Sequence, residues 1–442
     1  MIACLRIILP LALTTVALGA TVSHAQSNHT SARKIARAGT VLTSDDRGSA
    51  LSAAPGLLAK REDTRLFISL GVVDQNANIE HSESGVIVEN LAPASWVGEL
   101  GLAFTHNTLH MGAGFYRHVM SSIVYPRLEP QPATVFTPSA HRFLRTDEFS
   151  SDTGVWAGVA LRPSESLGVG LSLNASRLAN ESFRHRLAQS LDSSSPFARR
   201  PFEFTQELSL PSTRVGAALG LYYAPYAFPI EINYSLGFQG NPTSKGSAFV
   251  RTSESLTFDL SGHFFTLEDF PRSSLSNAFG VRFLGKRLSV EGNFTLRNFL
   301  SPSDSYLLPS PLTATTDEGS TTIEAIESPL SDASRSFFKA GLSVDVLVPK
   351  TPLLVQTGFS HTRFLDDNVF SRSSINTLGV GIETLSEGVS FGFGIGYEWV
   401  PATSQLASVL ADNPFDQELS EEASLKISEN RFRFSIDMDV AF

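Results

Sequence analysis

From Val389 to Trp399 the chain alternates without a break. Large apolar residues (Val389, Phe391, Phe393, Ile395, Tyr397, Trp399) interleave with small or charged ones (Ser390, Gly392, Gly394, Gly396, Glu398). The last stretch repeats the pattern, with Phe432, Phe434, Ile436, Met438, Val440 and Phe442 set against Arg431, Arg433, Ser435, Asp437, Asp439 and Ala441. Successive side chains of a strand point to opposite faces, so each stretch reads as a strand with one greasy face and one polar or small face. A soluble sandwich also alternates, but its outward face is polar and its strands are shorter. A nearly pure apolar register over about ten residues is the pattern of a strand that crosses a bilayer in a barrel, with its mixed face lining the lumen. Such a sheet has to close, because an edge in hydrocarbon leaves backbone groups unpaired.

Composition removes the alternatives. Charged residues make up 18% of the 442, against about 25% in soluble domains. The 42% hydrophobic content excludes disorder, and the single cysteine excludes a disulfide scaffold. After residue 25 no apolar run approaches the roughly 20 residues that a spanning helix needs.

Fourteen stretches read as strands, near 65–73, 97–106, 108–118, 153–162, 166–175, 212–223, 229–239, 274–284, 287–298, 336–347, 352–363, 374–383, 388–399 and 429–441. Their connections alternate in length. Short ones fall at His106-Asn107, Arg162 to Glu165, Ala224 to Pro229, Leu284 to Arg287, Lys350-Thr351 and Leu385 to Gly388. Long ones fall at 74–96, 119–152, 176–211, 240–273, 299–335, 364–373 and 400–428. Bacterial outer-membrane barrels have short periplasmic turns and long external loops, and an even strand number returns both termini to the periplasm. The predicted fold class is all-β, a transmembrane antiparallel barrel of fourteen strands.

Residues 1–25 read as a secretory signal. Arg6 precedes the apolar run Ile7 to Ala20, and Ser23-His24-Ala25 offers small residues at the cleavage positions. Cys4 leaves with the signal. Removing Arg6 leaves 33 basic against 44 acidic residues, a net charge of −11, which gives no reason to expect nucleic-acid binding. Phe442 falls on the lipid-facing register of the last strand and resembles the terminal signal read by the barrel-assembly machinery. Tyr116, Tyr222, Tyr223, Tyr226, Tyr397 and Trp399 lie near strand ends and are expected to form interfacial girdles.

Residues 26–64 precede the first strand and show no strong period. They carry Ala36-Arg37-Ala38-Gly39-Thr40, then Ser44-Asp45-Asp46, then Ala53-Ala54-Pro55-Gly56-Leu57-Leu58. This segment resembles the N-terminal part of the FadL/TodX family of outer-membrane transporters for long-chain fatty acids and hydrocarbons. Members have a Gly-and-Ala stretch, an acidic pair and an Asn-Pro-Ala-Gly-Leu-like element just before the first strand; here Ala54 stands where they have Asn. The resemblance implies a plug, or hatch, over 26–64 inside a barrel over 65–442, with Gly39, Asp45, Asp46, Pro55 and Gly56 in it. It also implies that a ligand is caught by external apolar loops, passes an inner pocket and leaves sideways into the bilayer.

The external connections offer apolar capture residues: Phe183, Leu187, Phe197 and Phe202 in one, Phe264 and Phe265 in another. Arg184, Arg186, Arg199 and Arg200 make the first of these basic, suited to a carboxylate head group or lipopolysaccharide phosphates. These aromatics could equally pack the loops against each other. By strand parity the lumen receives His110, Arg214, Glu231, Arg282, Glu291, Arg297, Lys339, Asp345, His361, Arg363, Arg431, Arg433, Asp437 and Asp439, and Asp45 and Asp46 are expected to pair with luminal arginines. Asp412, Asp416, Glu418, Glu421 and Glu422 form an acidic stretch, read as solvated or as a divalent-cation site.

No Gly-x-Ser-x-Gly, His-Glu-x-x-His, phosphate loop or mature-chain cysteine nucleophile is present, so no catalytic residue, cofactor or metal centre is expected. The expected partners are outer-membrane lipid and lipopolysaccharide, a hydrophobic small molecule and the barrel-assembly machinery. The expected function is passive transport of hydrophobic small molecules. A barrel associated with type IX secretion, acting through protein interaction, and a general porin remain as alternatives.

Overall fold

The computed structural model describes residues 31–44, 48, 50–60, 62–81, 87–125, 139–190, 202–209, 212–244, 246–252, 263–267, 273–299, 305–307, 312–316, 319–323, 327–329, 336–365, 374–386, 388–406 and 424–442. The fourteen expected strands form one closed antiparallel barrel. They are β1 (Arg65–His81), β2 (Ser95–His106), β3 (Leu109–Tyr125), β4 (Ser139–Ser164), β5 (Leu167–Ser190), β6 (Ser212–Tyr223) and β7 (Ile230–Ser244). The second half comprises β8 (Ser273–Leu284), β9 (Leu288–Phe299), β10 (Phe337–Leu347), β11 (Leu353–Phe364), β12 (Ser374–Thr384), β13 (Val389–Leu406) and β14 (Ser424–Ala441). Each strand pairs with the next in the chain, and β14 closes on β1 in a ladder running from Arg65↔Ala441 to His81↔Leu425. The Phe442 amide donates to the Thr64 carbonyl at 2.9 Å, so the two ends of the barrel chain meet at the short-turn end.

The alternation sorts the residues as the sequence requires. On β14, Arg431, Arg433, Ser435, Asp437 and Asp439 are buried inside, while Phe432, Phe434 and Ile436 are exposed outside. The same outer band includes Leu100, Phe115, Val155, Leu173, Leu219, Val380, Phe391 and Phe393. So much exposed apolar surface, wrapped around a polar interior, is stable only against hydrocarbon.

Three expectations are corrected. First, the long connections begin as strand. β4 starts at Ser139, β5 runs to Ser190, and the short strands Phe202–Ser209, Gly246–Thr252 and His263–Leu267 extend the sheet beyond the apolar band. The ladder's hydrogen bonds continue there, but the outward face no longer meets lipid, so the greasy alternation that marks a strand in the sequence is missing. Second, Tyr116 and Tyr222 point inward and are nearly fully buried, whereas Tyr397 and Trp399 stay outside in an aromatic cluster with Phe432 and Phe359. Third, His361 and Arg363 face outward. On β11 the inward positions are Gln356, Ser360 and Thr362, and His361 bonds its outward neighbour Asn376 on β12 at 2.8 Å. At that end of the wall polarity no longer reports the lumen, because the outer face has left the apolar band.

Candidate functional site

The lumen is the site, and its wall is cut to fit the N-terminal segment. That segment contains α1 (Ala32–Ala36), α2 (Ala50–Ala53) and a 3-10 turn over Pro55–Lys60, and nearly all of it is buried among inward-facing wall residues. Its backbone runs along a track of luminal glycines. A Cβ at Gly394 would overlap the Ala32 carbonyl, one at Gly379 the Ile35 carbonyl, and one at Gly358 the Arg37 backbone. On the opposite side Gly170 and Gly220 accept Pro55 and Gly56, and a Cβ on Gly56 would sit 2.9 Å from the backbone of Gly220 and Tyr222. Glycine stands at these wall positions because two backbones meet there with no room between them.

The segment holds its own bends. Ala38 and Gly39 take positive φ (51° and 74°), and the Gly39 amide returns to the Lys34 carbonyl at 2.8 Å, closing α1 in a left-handed C-cap. Leu51, Leu57 and Leu58 pack against Trp156, Tyr116 and Ala103 of the wall.

Charge fixes the segment further. Arg33 pairs with Glu383, and its Nε donates to Oε2 at 3.0 Å. Lys34 Nζ lies 3.2 Å from Glu99 Oε1, and Lys60 Nζ lies 2.8 Å from Glu231 Oε1. Arg37 forks onto Asp345 through Nε and Nη2, both at 2.7 Å. Arg282 of the wall links the two arms of this network, reaching Asp345 at 2.9 Å and Glu231 at 3.4 Å. Asp437 accepts from the Ala32 and Arg33 amides at 2.8 and 3.3 Å, a wall carboxylate at the start of α1. In these contacts basic residues of the segment meet acidic residues of the wall. Asp45 and Asp46 lie outside the described residues. The anchors Arg33, Lys34, Arg37 and Lys60 were missed by sequence reasoning. Their signal was the coincidence of a basic segment with inward acids at the short-turn ends of several strands.

Above this floor, toward the long connections, the lumen carries two apolar patches among charged residues. Phe337, Phe364 and Ile375 form one, with the two rings edge to face at 6.3 Å. Val73, Val97 and Val119 form the other, with Phe149 packed on it. Arg297 stands over the Phe337 ring at 5.9 Å. Arg433 meets Glu398 at 3.0 Å and Arg431 meets Glu429 at 2.9 Å, so these luminal arginines are held by neighbouring carboxylates. Between β7 and β8 the ladder is interrupted: pairing stops at Gln239↔Ser274 and resumes at Leu236↔Asn277, leaving Gly237–Phe238 beside Leu275–Ser276 without a rung. On its inner side a Cβ at Gly237 would lie 3.0 Å from the Ala218 side chain.

The chain superposes on solved structures over nearly its whole length. The P. putida toluene transporter TodX is 12% identical with a TM-score of 0.66, covering 94% of this chain and 99% of that one. A Pseudomonas aeruginosa FadL homologue is 12% identical with a TM-score of 0.65, covering 96% and 100%. The Ralstonia pickettii toluene transporter TbuX is 11% identical with a TM-score of 0.60, covering 94% and 99%.

The fold is that of the FadL/TodX-type barrels.

At these identities the likeness is one of fold. No family model matches the sequence, and no curated protein does. Within this FadL/TodX-type fold the described members of the expected capture set lie on one extension of the sheet, built from the outer part of β5 and the short strands Phe202–Ser209, Gly246–Thr252 and His263–Leu267. The backbones of Phe183, Arg184, Arg186 and Leu187 lie on the outer part of β5, and Phe202 stands opposite Ala188. Phe264 and Phe265 lie opposite Phe249 and Ala248. Phe197, Arg199, Arg200 and the acidic stretch from Asp412 to Glu422 lie outside the described residues. Gly39, Pro55 and Gly56 sit within the luminal segment, and Phe442 is exposed at the end of the wall.

Proposed function

We propose that this protein is a passive outer-membrane channel for hydrophobic small molecules, long-chain fatty acids or hydrocarbons. The observation that carries the reading is the division of the lumen: the described residues of the 31–60 segment occupy its short-turn half on a glycine track, while buried apolar clusters occupy the half above. A wide aqueous pore is incompatible with that floor, and Phe337, Phe364 and Ile375 turn inward above it as a closely packed apolar cluster. The short-turn end is the periplasmic one, residues 1–25 are the export signal, residues 26–64 are the plug, and Phe442 is the assembly signal.

Cargo enters from the external connections and rests on the inner apolar patches. It leaves sideways through the interrupted β7–β8 ladder into the bilayer. Lateral exit follows from solvation: each CH₂ returned to water costs about 0.8 kcal/mol, so a long chain does better moving from an apolar patch directly to lipid. The transporters of toluene that share the fold support this reading.

Mass spectrometry of molecules retained by the detergent-purified barrel tests it, together with conductance in planar bilayers. The expected result is a retained acyl or aromatic ligand and a low resting conductance. A large open conductance with no retained ligand would refute the proposal in favour of a general porin, and co-purified secreted proteins without ligand would favour an interaction role.

A further inference from the structure

The outer wall carries a feature that transport does not use. Across five adjacent strands, Gly98, Arg117, Thr153, Arg177 and Thr213 stand in one register row: Gly98↔Arg117, Arg117↔Thr153, Thr153↔Arg177 and Arg177↔Thr213. Their parity is outward, since inward-facing Tyr116, Asp152 and Ser176 alternate with them and are buried. Arg117 and Arg177 are both exposed. The parallel row two residues nearer the short turns is Leu100, Phe115, Val155, Ala175 and Val215, apolar throughout. Of these, Leu100, Phe115, Val155 and Val215 are among the exposed large hydrophobics of the wall.

The change from all-apolar to Arg-Thr-Arg within one step along the strands marks the upper boundary of the hydrocarbon. At that level two arginines emerge from alternate strands. Neighbouring strands are about 4.8 Å apart, so the two stems start about 10 Å from each other. Thr153 lies between them and Gly98 offers no side chain on the flank. Flexible guanidiniums at this spacing converge on one phosphate, each able to donate a forked pair of hydrogen bonds. Continuity with the apolar row requires an amphiphile, and the paired cations require its head to be anionic.

We propose that Arg117, Thr153 and Arg177 form a binding site on the outer wall for a phosphorylated glycolipid of the outer leaflet, lipopolysaccharide. A phosphate of its lipid A lies between the two guanidiniums, with its acyl chains on the Leu100–Val215 row. The site rests on the outer-membrane part of the proposed function and is independent of what the lumen transports.

The test uses the full-length barrel, purified in detergent and titrated with bisphosphorylated lipid A, with the same lipid A after phosphatase treatment, and with phosphatidylglycerol, read by native mass spectrometry. Wild type is expected to retain bisphosphorylated lipid A at least tenfold better than the dephosphorylated form or phosphatidylglycerol. The variant R117Q/R177Q is expected to lose that preference, and R117K/R177K to keep part of it. Equal retention of phosphorylated and dephosphorylated lipid by wild type would overturn the proposal without any variant. So would undiminished preference in R117Q/R177Q that still runs as a heat-modifiable folded barrel. Loss of transported ligand with lipid A preference intact would count against the lumen reading alone.

Discussion

Arg37 and Asp345 are 308 positions apart in the chain and meet at the floor of the lumen through two parallel hydrogen bonds of 2.7 Å. Both are nearly fully buried. A buried pair adds little over a well-packed apolar pair, but losing one partner strands the other and costs about 3–5 kcal/mol. Arg37→Ala is therefore expected to loosen the luminal segment and raise single-channel conductance while the wall still closes. Asp345→Asn is expected to do more, because Asp345 also receives Arg282 at 2.9 Å, so its loss strands Arg37 and leaves Arg282 with Glu231 as its remaining carboxylate. A double-mutant cycle on chemical unfolding should give a coupling well above 1 kcal/mol; additive effects would show that the pair does not hold the segment.

The glycine track makes a sharper contrast. At Gly379 a Cβ would collide with the Ile35 carbonyl, whereas at Gly292 on the outer face it would meet nothing within 4 Å. Gly379→Val is expected to unseat α1 and expose the Arg33–Ala38 stretch to added protease. Gly292→Ala should leave proteolysis, conductance and heat-modifiable mobility unchanged. Equal protection in the two variants would rule out the close seating of α1.

Outside the barrel, Val380 is half exposed in the apolar band of β12. If that band lies in hydrocarbon, Val380→Arg should cost about 2–4 kcal/mol in refolding into vesicles, the range for a lipid-facing arginine near the midplane. The same substitution in a water-exposed wall would be nearly neutral, so a urea titration in vesicles separates the two.

Within the lumen, Phe337 and Phe364 are predicted to serve cargo as well as packing. Phe364→Ala should reduce uptake of a labelled hydrophobic substrate by roughly tenfold, equivalent to about 1.4 kcal/mol and within the value of burying one aromatic side chain. Uptake unchanged in a variant that still assembles would remove this patch from the path.

The strand layout was legible because one physical constraint repeats along the chain. A wall with lipid on one side and a packed lumen on the other imposes an apolar register on every second residue, as at Val389–Trp399 and Arg431–Phe442. Parity located most luminal charges correctly, including Glu231, Glu291, Asp345 and Asp437. It failed at His361 and Arg363, since above the apolar band the outer face is polar too. The girdle expectation failed at Tyr116 and Tyr222 for another reason: it rested on nearness to a strand end, and an aromatic there suits an interface or a luminal contact equally well.

By itself, then, the sequence determined the closed wall: periodicity, alternating connection lengths and the absence of helical spans leave a fourteen-stranded barrel as the consistent solution. What the tertiary structure alone decided is how the lumen is filled. The choice of glycine at 379, 394 and 170, and the pairing of Arg33, Lys34, Arg37 and Lys60 with distant acids, are set by backbone-to-backbone distances and charge contacts across the barrel. Such contacts have no period and no fixed separation in the chain. The Arg117–Arg177 row likewise appears only once the register of β3, β4 and β5 aligns residues that lie 60 positions apart.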